Sequence, residues 1–373
     1  MKLLFALLVA VHGLIHLLGP AKALGWADLP QLTQPVKKGM ALVWLLASTL
    51  LLSTAAALLT GPRWWWAVGA AAIIVSQIVI ATSWTDARYG TIPNVIITAG
   101  VALGLLSNGP WSLRAEYERE VAQRLGRSVA PARVTEADLA PLPDPVQRYV
   151  RLSGAVGQPR VHNFRARFHG KIRSGPDATW MSFHGEQYNF YEPPSRLFFM
   201  HASMFGLPIQ VFHRFVGPSA TMRVKVASAV TVVDAKGPEM DEGETVTMFN
   251  DLCVFAPGGL IDPRIQWQTS GPQSADASFT NGRHTIHAAL EFNDRGELIN
   301  FTADGRAAAS ADGKSFTKMP WSTPLAGYRE FGGHQLMARG EAIWHAAEGD
   351  YTYLVFELDE IEYNVAAPRD PAD

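Results

Sequence analysis

The sequence predicts an α+β protein in two parts. A four-helix transmembrane bundle comes first, and a curled antiparallel β-sheet, half-barrel-like with one packed helix, follows. Three observations predict this. The first 108 residues hold four long apolar runs. The charge balance then reverses: residues 1–108 carry six Lys or Arg against two acids, Asp28 and Asp86, whereas 26 bases face 32 acids in the remainder. From Val161 the apolar residues recur with a period of two, interrupted by one stretch at helical spacing. A length of 373 residues suits two units on a prior of roughly 100–200 residues per domain.

The apolar runs are 3–19, 40–60, 64–84 and 92–107. A bilayer core about 30 Å thick takes ~20 apolar residues as helix. Breakers fall where ends should lie: Gly19-Pro20, Pro30, Pro35, Gly61-Pro62, Gly90 and Gly109-Pro110. Trp64, Trp65 and Trp66 open the third run and Trp84 closes it, as expected of rings that favour membrane–water interfaces. The first run also reads as a secretory signal ending at Ala21-Lys22-Ala23. Orientation stays open: all charges together place the termini inside, and short loops alone place them outside.

Polar residues inside such runs are functional candidates. His12 and His16 lie one turn apart on one helix face. Gln77 sits in the third run, Asp86 follows it, and Asn94 starts the fourth. The histidines read as rings bonded to Gln77 or to backbone carbonyls, as a proton relay, or as metal or haem ligands. Two imidazoles make an incomplete metal site, so no cofactor is expected.

The stretches HGLIHLLG, QLTQP, WWW, SQIVI and DARYGT resemble the N-terminal half of a bacterial multi-pass membrane protein family of unknown function. LPDPVQRYVRLSGAVG and YREFGGHQLMARGEAIW resemble a bacterial domain of unknown function. The resemblance implies the architecture and a place in the bacterial cytoplasmic membrane, and it implies no chemistry.

Residues 109–160 read as a helical linker, with Asp144-Pro145 as a helix start. The β domain is expected over 161–365 with ten to twelve strands, and 366–373 as a disordered tail. In FRARFHGKI, Phe164, Ala166, Phe168 and Ile172 alternate with Arg165, Arg167, His169 and Lys171, a half-buried strand with a basic outer face. TIHAALEF, NDRGE and LINFTADG read as strand, turn and strand. Val246, Phe249, Leu252 and Cys253 mark the one helix, near 240–253. A helix with one apolar face beside a long sheet is most economically buried by curling the sheet around it. That shape is analogous to lipoprotein-carrier half-barrels, an analogy of fold alone.

Phe198, Phe199, Met200, Met204, Phe205 and Phe212, with Phe249 and Leu252, are the candidate cavity residues. Tyr328, Glu330, Glu341, Trp344 and His345 form a weaker polar candidate cluster. No GxSxG, P-loop, HExxH, CxxC or GxGxxG pattern is present. The expected function is a non-enzymatic, membrane-anchored binding module whose partners are the bilayer and a lipid or other hydrophobic ligand, with no nucleic acid. The alternatives are a membrane redox, metal or haem protein using His12 and His16, and a scaffold that binds a protein partner.

Overall fold

The computed structural model describes residues 2–126, 132–204, 206–310 and 312–369. Phe205 and the last four residues of the expected tail lie outside them. The chain divides into two compact units, Met1–Ala115 and Glu116–Asp373.

The first unit is helical: α1 Lys2–Ile15, α2 Leu18–Ala23, α3 Lys38–Thr60, α4 Trp65–Thr82, the short α5 Trp84–Ala87 and α6 Thr91–Asn108. Helix α7, Leu113–Arg124, crosses the division. The stretches Lys2–Ala23, Lys38–Thr60, Trp65–Thr82 and Trp84–Arg124 are long and apolar enough to cross a membrane. The expected first helix breaks at His16 and Leu17, where i→i−3 bonds from His16 N to Gly13 O and Leu17 N to Leu14 O tighten the turn. Helix α3 stops at Gly61, whose φ of 85° is a left-handed cap closing onto Ala57 O. Val9, Leu51, Ala72 and Ile97 are fully buried between the helices. A Cβ on Gly69 would sit 2.7 Å from Val101, so this glycine lets α4 and α6 approach. Leu3, Leu4, Leu7, Leu42, Ile74 and Ile92 point outward and are exposed.

The second unit opens with the second part of α7, then α8 Glu136–Leu139 and α9 Asp144–Leu152. Six strands follow: β1 Asn163–Ile172, β2 Met181–Tyr191, β3 Pro194–Met204, β4 Leu207–Val216, β5 Ser219–Val226 and β6 Val230–Lys236. Helix α10, Pro238–Phe255, comes next. After it come β7 Ile265–Gly271, β8 Ser274–Asn281, β9 His284–Phe292, β10 Leu298–Ala303, β11 Ala307–Ala309 and β12 Phe316–Lys318. The chain finishes with β13 Trp321–Ser322, β14 Leu325–Ala326, β15 Arg329–Phe331, β16 His334–Leu336, β17 Arg339–Ala346 and β18 Gly349–Tyr363. Several of these are two- or three-residue pieces, which is why they outnumber the strands expected.

One large antiparallel sheet runs β6-β5-β4-β3-β2-β1-β18-β17-β13-β10-β9-β8-β7, with β14 beside β17. The chain meanders out to one edge at β6, crosses through α10, and winds back from the other edge until β18 pairs with β1. Helix α10 touches both β5 and β9, which stand nine places apart in that order. Flat, nine places would span about 43 Å. The helix is about 27 Å long and 10–12 Å across. The sheet therefore curls around it.

Two expectations are corrected. The segment expected as a linker is core: Val134, Leu139, Leu142, Val146, Tyr149 and Val150 are buried with the sheet. Its moderate apolar content reads as linker only until α9 is seen to lay its strongly one-sided apolar face on the core. The second concerns α10, expected to bury one face. Fifteen of its residues are buried, including Asp241, Glu244, Asn250 and Asp251. A sheet that wraps a helix leaves it no solvent side, so its polar residues need partners in the interior.

Candidate functional site

Between α10 and the concave face of the sheet lies a cavity of about 570 Å³. Period-two alternation decides which side chains line it. On β3, Phe198, Met200, Ala202 and Met204 face the cavity, and on β5 Met222, Val224 and Val226 do. Phe168 of β1 stacks on Phe198 with ring centroids 5.5 Å apart.

Not every expected cavity residue is there. Phe199 and Phe212 point to the opposite, convex face, where Tyr117 of α7 packs 5.5 Å and 5.8 Å from their rings. Glu116 and Glu120 of α7 anchor that contact by pairing with Arg223 and Arg214. Arg165, expected on the basic outer face of β1, is buried here and pairs with Glu186 at 2.9 Å. Phe249 stacks on Phe279 at 5.2 Å in the core, and Leu252 packs against Gly259. Of the eight candidates, Phe198, Met200 and Met204 line the cavity.

The sequence reading missed a charged cluster in the cavity wall. Arg196 of β3 donates from Nε to Asp251 Oδ2 at 2.7 Å, from Nη1 to Glu244 Oε2 at 3.0 Å and from Nη2 to Gln187 Oε1 at 2.9 Å. Gln187 Nε2 and Asn189 Nδ2 also donate to Asp251 Oδ2, at 2.8 and 3.1 Å. All five residues are buried. Burial alone would raise the Glu244 carboxyl, yet Arg196 and His213 overcome it and hold Glu244 down to about 2. Burial outweighs Arg196 at Asp251, whose carboxyl is pushed up. Arg196 is shared between the two carboxylates, and Glu244 has His213 beside it as well. The available signal was Glu244 and Asp251, seven residues apart and so on one face of the expected helix.

A second arginine, Arg306, lies just before β11 and also lines the cavity. Its guanidinium carbon sits 4.4 Å from the Trp321 ring and 5.2 Å from Trp344. Its Nη1 donates to Tyr353 Oη at 2.9 Å.

The weaker polar cluster does not assemble. Tyr328 donates to Leu298 O, Glu330 accepts from Gly333 N, and Glu341 accepts from Thr352 Oγ1. Trp344 faces the cavity, while its neighbour His345 points away, to Ser322 and Asp350.

In the first unit, a polar network does form. His12 Nε2 lies 3.0 Å from Asn94 Oδ1 and 3.2 Å from Ser76 Oγ. His16 Nε2 lies 3.1 Å from the same Ser76 hydroxyl, and its Nδ1 lies 2.9 Å from His12 O. Asn94 Nδ2 donates to Gln77 Oε1 at 3.0 Å, and Gln77 Nε2 donates to Thr91 Oγ1. Both imidazoles are buried and neither bonds Gln77 directly; Ser76 and Asn94 connect them. Asp86 stands apart at the surface, accepting from Thr33 Oγ1 and Gln34 N. Among the described residues no group of three or more His, Cys, Asp or Glu is placed to hold a metal.

A profile of a family of unknown function, DUF6544, matches residues 132–356, more than half of the chain and the part that carries the cavity. The chain belongs to that family. No curated protein matches it. Among solved structures, it is similar to a Vibrio parahaemolyticus domain named for outer membrane lipoprotein sorting, at 6% identity and TM-score 0.30, over 54% of this chain and 85% of that one. A DUF1329 family protein from Desulfovibrio piger is similar at 10% identity and TM-score 0.31, over 63% and 95%. A LolA superfamily protein from Nitrosomonas europaea is similar at 9% identity and TM-score 0.28, over 59% and 91%. At these values the likeness says nothing of a ligand for this chain.

Proposed function

We propose that the protein is a membrane-anchored, non-enzymatic binding module for a lipid or other hydrophobic ligand. The carrying observation is the cavity of about 570 Å³ walled by methionine, valine and phenylalanine. Ligand pockets fall in the range of ~300–1,000 Å³ and are mostly apolar with a few polar groups. Unbranched methionine side chains adapt to chains of varied shape.

The anchor reading rests on the first unit. Its apolar residues cover the outside as well as the inside of the bundle. An outward Leu and Ile surface of this extent is stable in hydrocarbon and a liability in water. Trp26, Trp64, Trp84 and Trp111 are exposed beside the ends of these helices, as interfacial rings would be. A helical anchor of this kind suits the bacterial cytoplasmic membrane, since outer-membrane proteins cross as barrels.

The test is extraction and mass spectrometry of the full-length protein purified in nonionic detergent, beside Met222→Trp, which fills the cavity. A bound amphiphile should fall several-fold in the variant while the thermal transition persists. Lipid held on the outside of the helices would not respond to Met222→Trp. Equal amounts in both proteins would defeat the cavity reading.

A further inference from the structure

We propose that the cavity takes a single-chain amphiphile with an anionic head, a carboxylate or a phosphate, and that Arg306 receives the head. This rests on the reading of the cavity as a hydrophobic-ligand site.

Three arginines line the cavity, and they differ in what they have left to give. Arg196 is committed to Asp251, Glu244 and Gln187. Arg173 turns Nε to Thr352 O at 2.8 Å and Nη1 to Pro176 O. Arg306 donates one hydrogen bond, to Tyr353 Oη, and among the described residues it forms no ion pair. Trp321 and Trp344 are direct partners on adjacent strands, so their rings pave the same side of the guanidinium. Those ring contacts supply no acceptor oxygen, so donors of the fork remain open.

A guanidinium does not lose its proton, and an unpaired cation beside apolar walls is costly. A ligand anion supplies the missing partner. The planar fork matches the two oxygens of a carboxylate or phosphate. Glu244 feels the Arg306 charge, but its direct ion pairs are with Arg196 and His213 and it forms none with Arg306, so the fork stays open to an anion. The hydrocarbon part of the ligand has Met200, Val211, Met222 and Val224 to lie against.

The experiment titrates the full-length protein, in nonionic detergent with a detergent blank subtracted, with cis-parinaric acid and with its methyl ester. Lysophosphatidic acid and inorganic phosphate serve as competitors. The acid should bind at least about ten-fold tighter than the ester. Arg306→Gln should bring that ratio to within about two-fold while ester binding persists, and Arg306→Lys should restore part of it. Displacement by lysophosphatidic acid, with none by inorganic phosphate, would extend the head to phosphate while requiring the chain. A wild-type protein that binds acid and ester alike, or a preference that survives in Arg306→Gln, overturns the assignment of the head and leaves the hydrophobic cavity standing. Failure of both probes to bind overturns the cavity reading as well.

Discussion

The polar network of the first unit joins two imidazoles, a hydroxyl and two carboxamides. The charged cluster of the second joins a guanidinium, two carboxylates and two carboxamides. Both are joined by hydrogen bonds, yet they respond to damage differently. Removing one neutral member of a network costs its bond and part of its partner's desolvation. Removing one charged member strands an opposite charge in the interior. The difference teaches where each unit is vulnerable. The helical unit is held by many small contacts, and the β unit concentrates risk at Arg196.

Arg196→Met should break the comparison hardest. It removes the cation that Glu244 and Asp251 share, at a cost of about 3–5 kcal/mol. Chemical denaturation of the full-length protein would measure it. Adding Glu244→Gln and Asp251→Asn to the same variant should recover most of the loss; a triple variant as unstable as the single one would show that packing, not charge, is what Arg196 supplies.

The pH dependence sharpens the same point. The Glu244 carboxyl is lowered from 4.5 to about 2 in the folded protein. Its contribution is therefore present above pH 4.5 and is lost as the pH falls from 4.5 toward 2. Asp251 is raised, so its contribution runs the other way and fades as the pH rises through its folded value. Melting temperatures between pH 5 and 2.5 should decline less steeply for Glu244→Gln than for the wild type. Parallel slopes would count against the ionised Glu244–Arg196 pair.

In the first unit, His16→Leu removes one link to Ser76 and should cost about 1–2 kcal/mol, the scale of interhelical bonds in membranes. A loss near that of Arg196→Met would mean that the network is as concentrated as the charged cluster. The smallest effect belongs to the surface. Lys318 pairs with Glu242 at 2.8 Å but is 56% exposed. Lys318→Ala should change stability by well under about 1 kcal/mol, checked on the same denaturation curves.

Part of the site was legible without coordinates. Phe198, Met200 and Met204 share a parity on β3, and alternation already forbids Phe199 from pointing the same way. Which parity faces inward is not local information. It depends on α7 bringing Tyr117 to the convex side. His12 and His16 were visible as polar residues in an apolar run, and Asn94 was visible as a polar residue near the start of its run. That Ser76 would join all three depends on how α1, α4 and α6 meet.

The sequence by itself determined the four apolar helices, the change to a two-residue period, the helix near 240–253 and the reversal of charge between the halves. Each follows from neighbours in the chain, because helix and strand periods are set by backbone geometry within a few residues. The tertiary structure alone decided that α9 enters the core, that α10 is buried on every side, and that Arg196, Glu244 and Asp251 meet. Arg196 and Asp251 are 55 residues apart. They meet because the sheet curls until both of its halves touch one helix, and no local pattern encodes that closure.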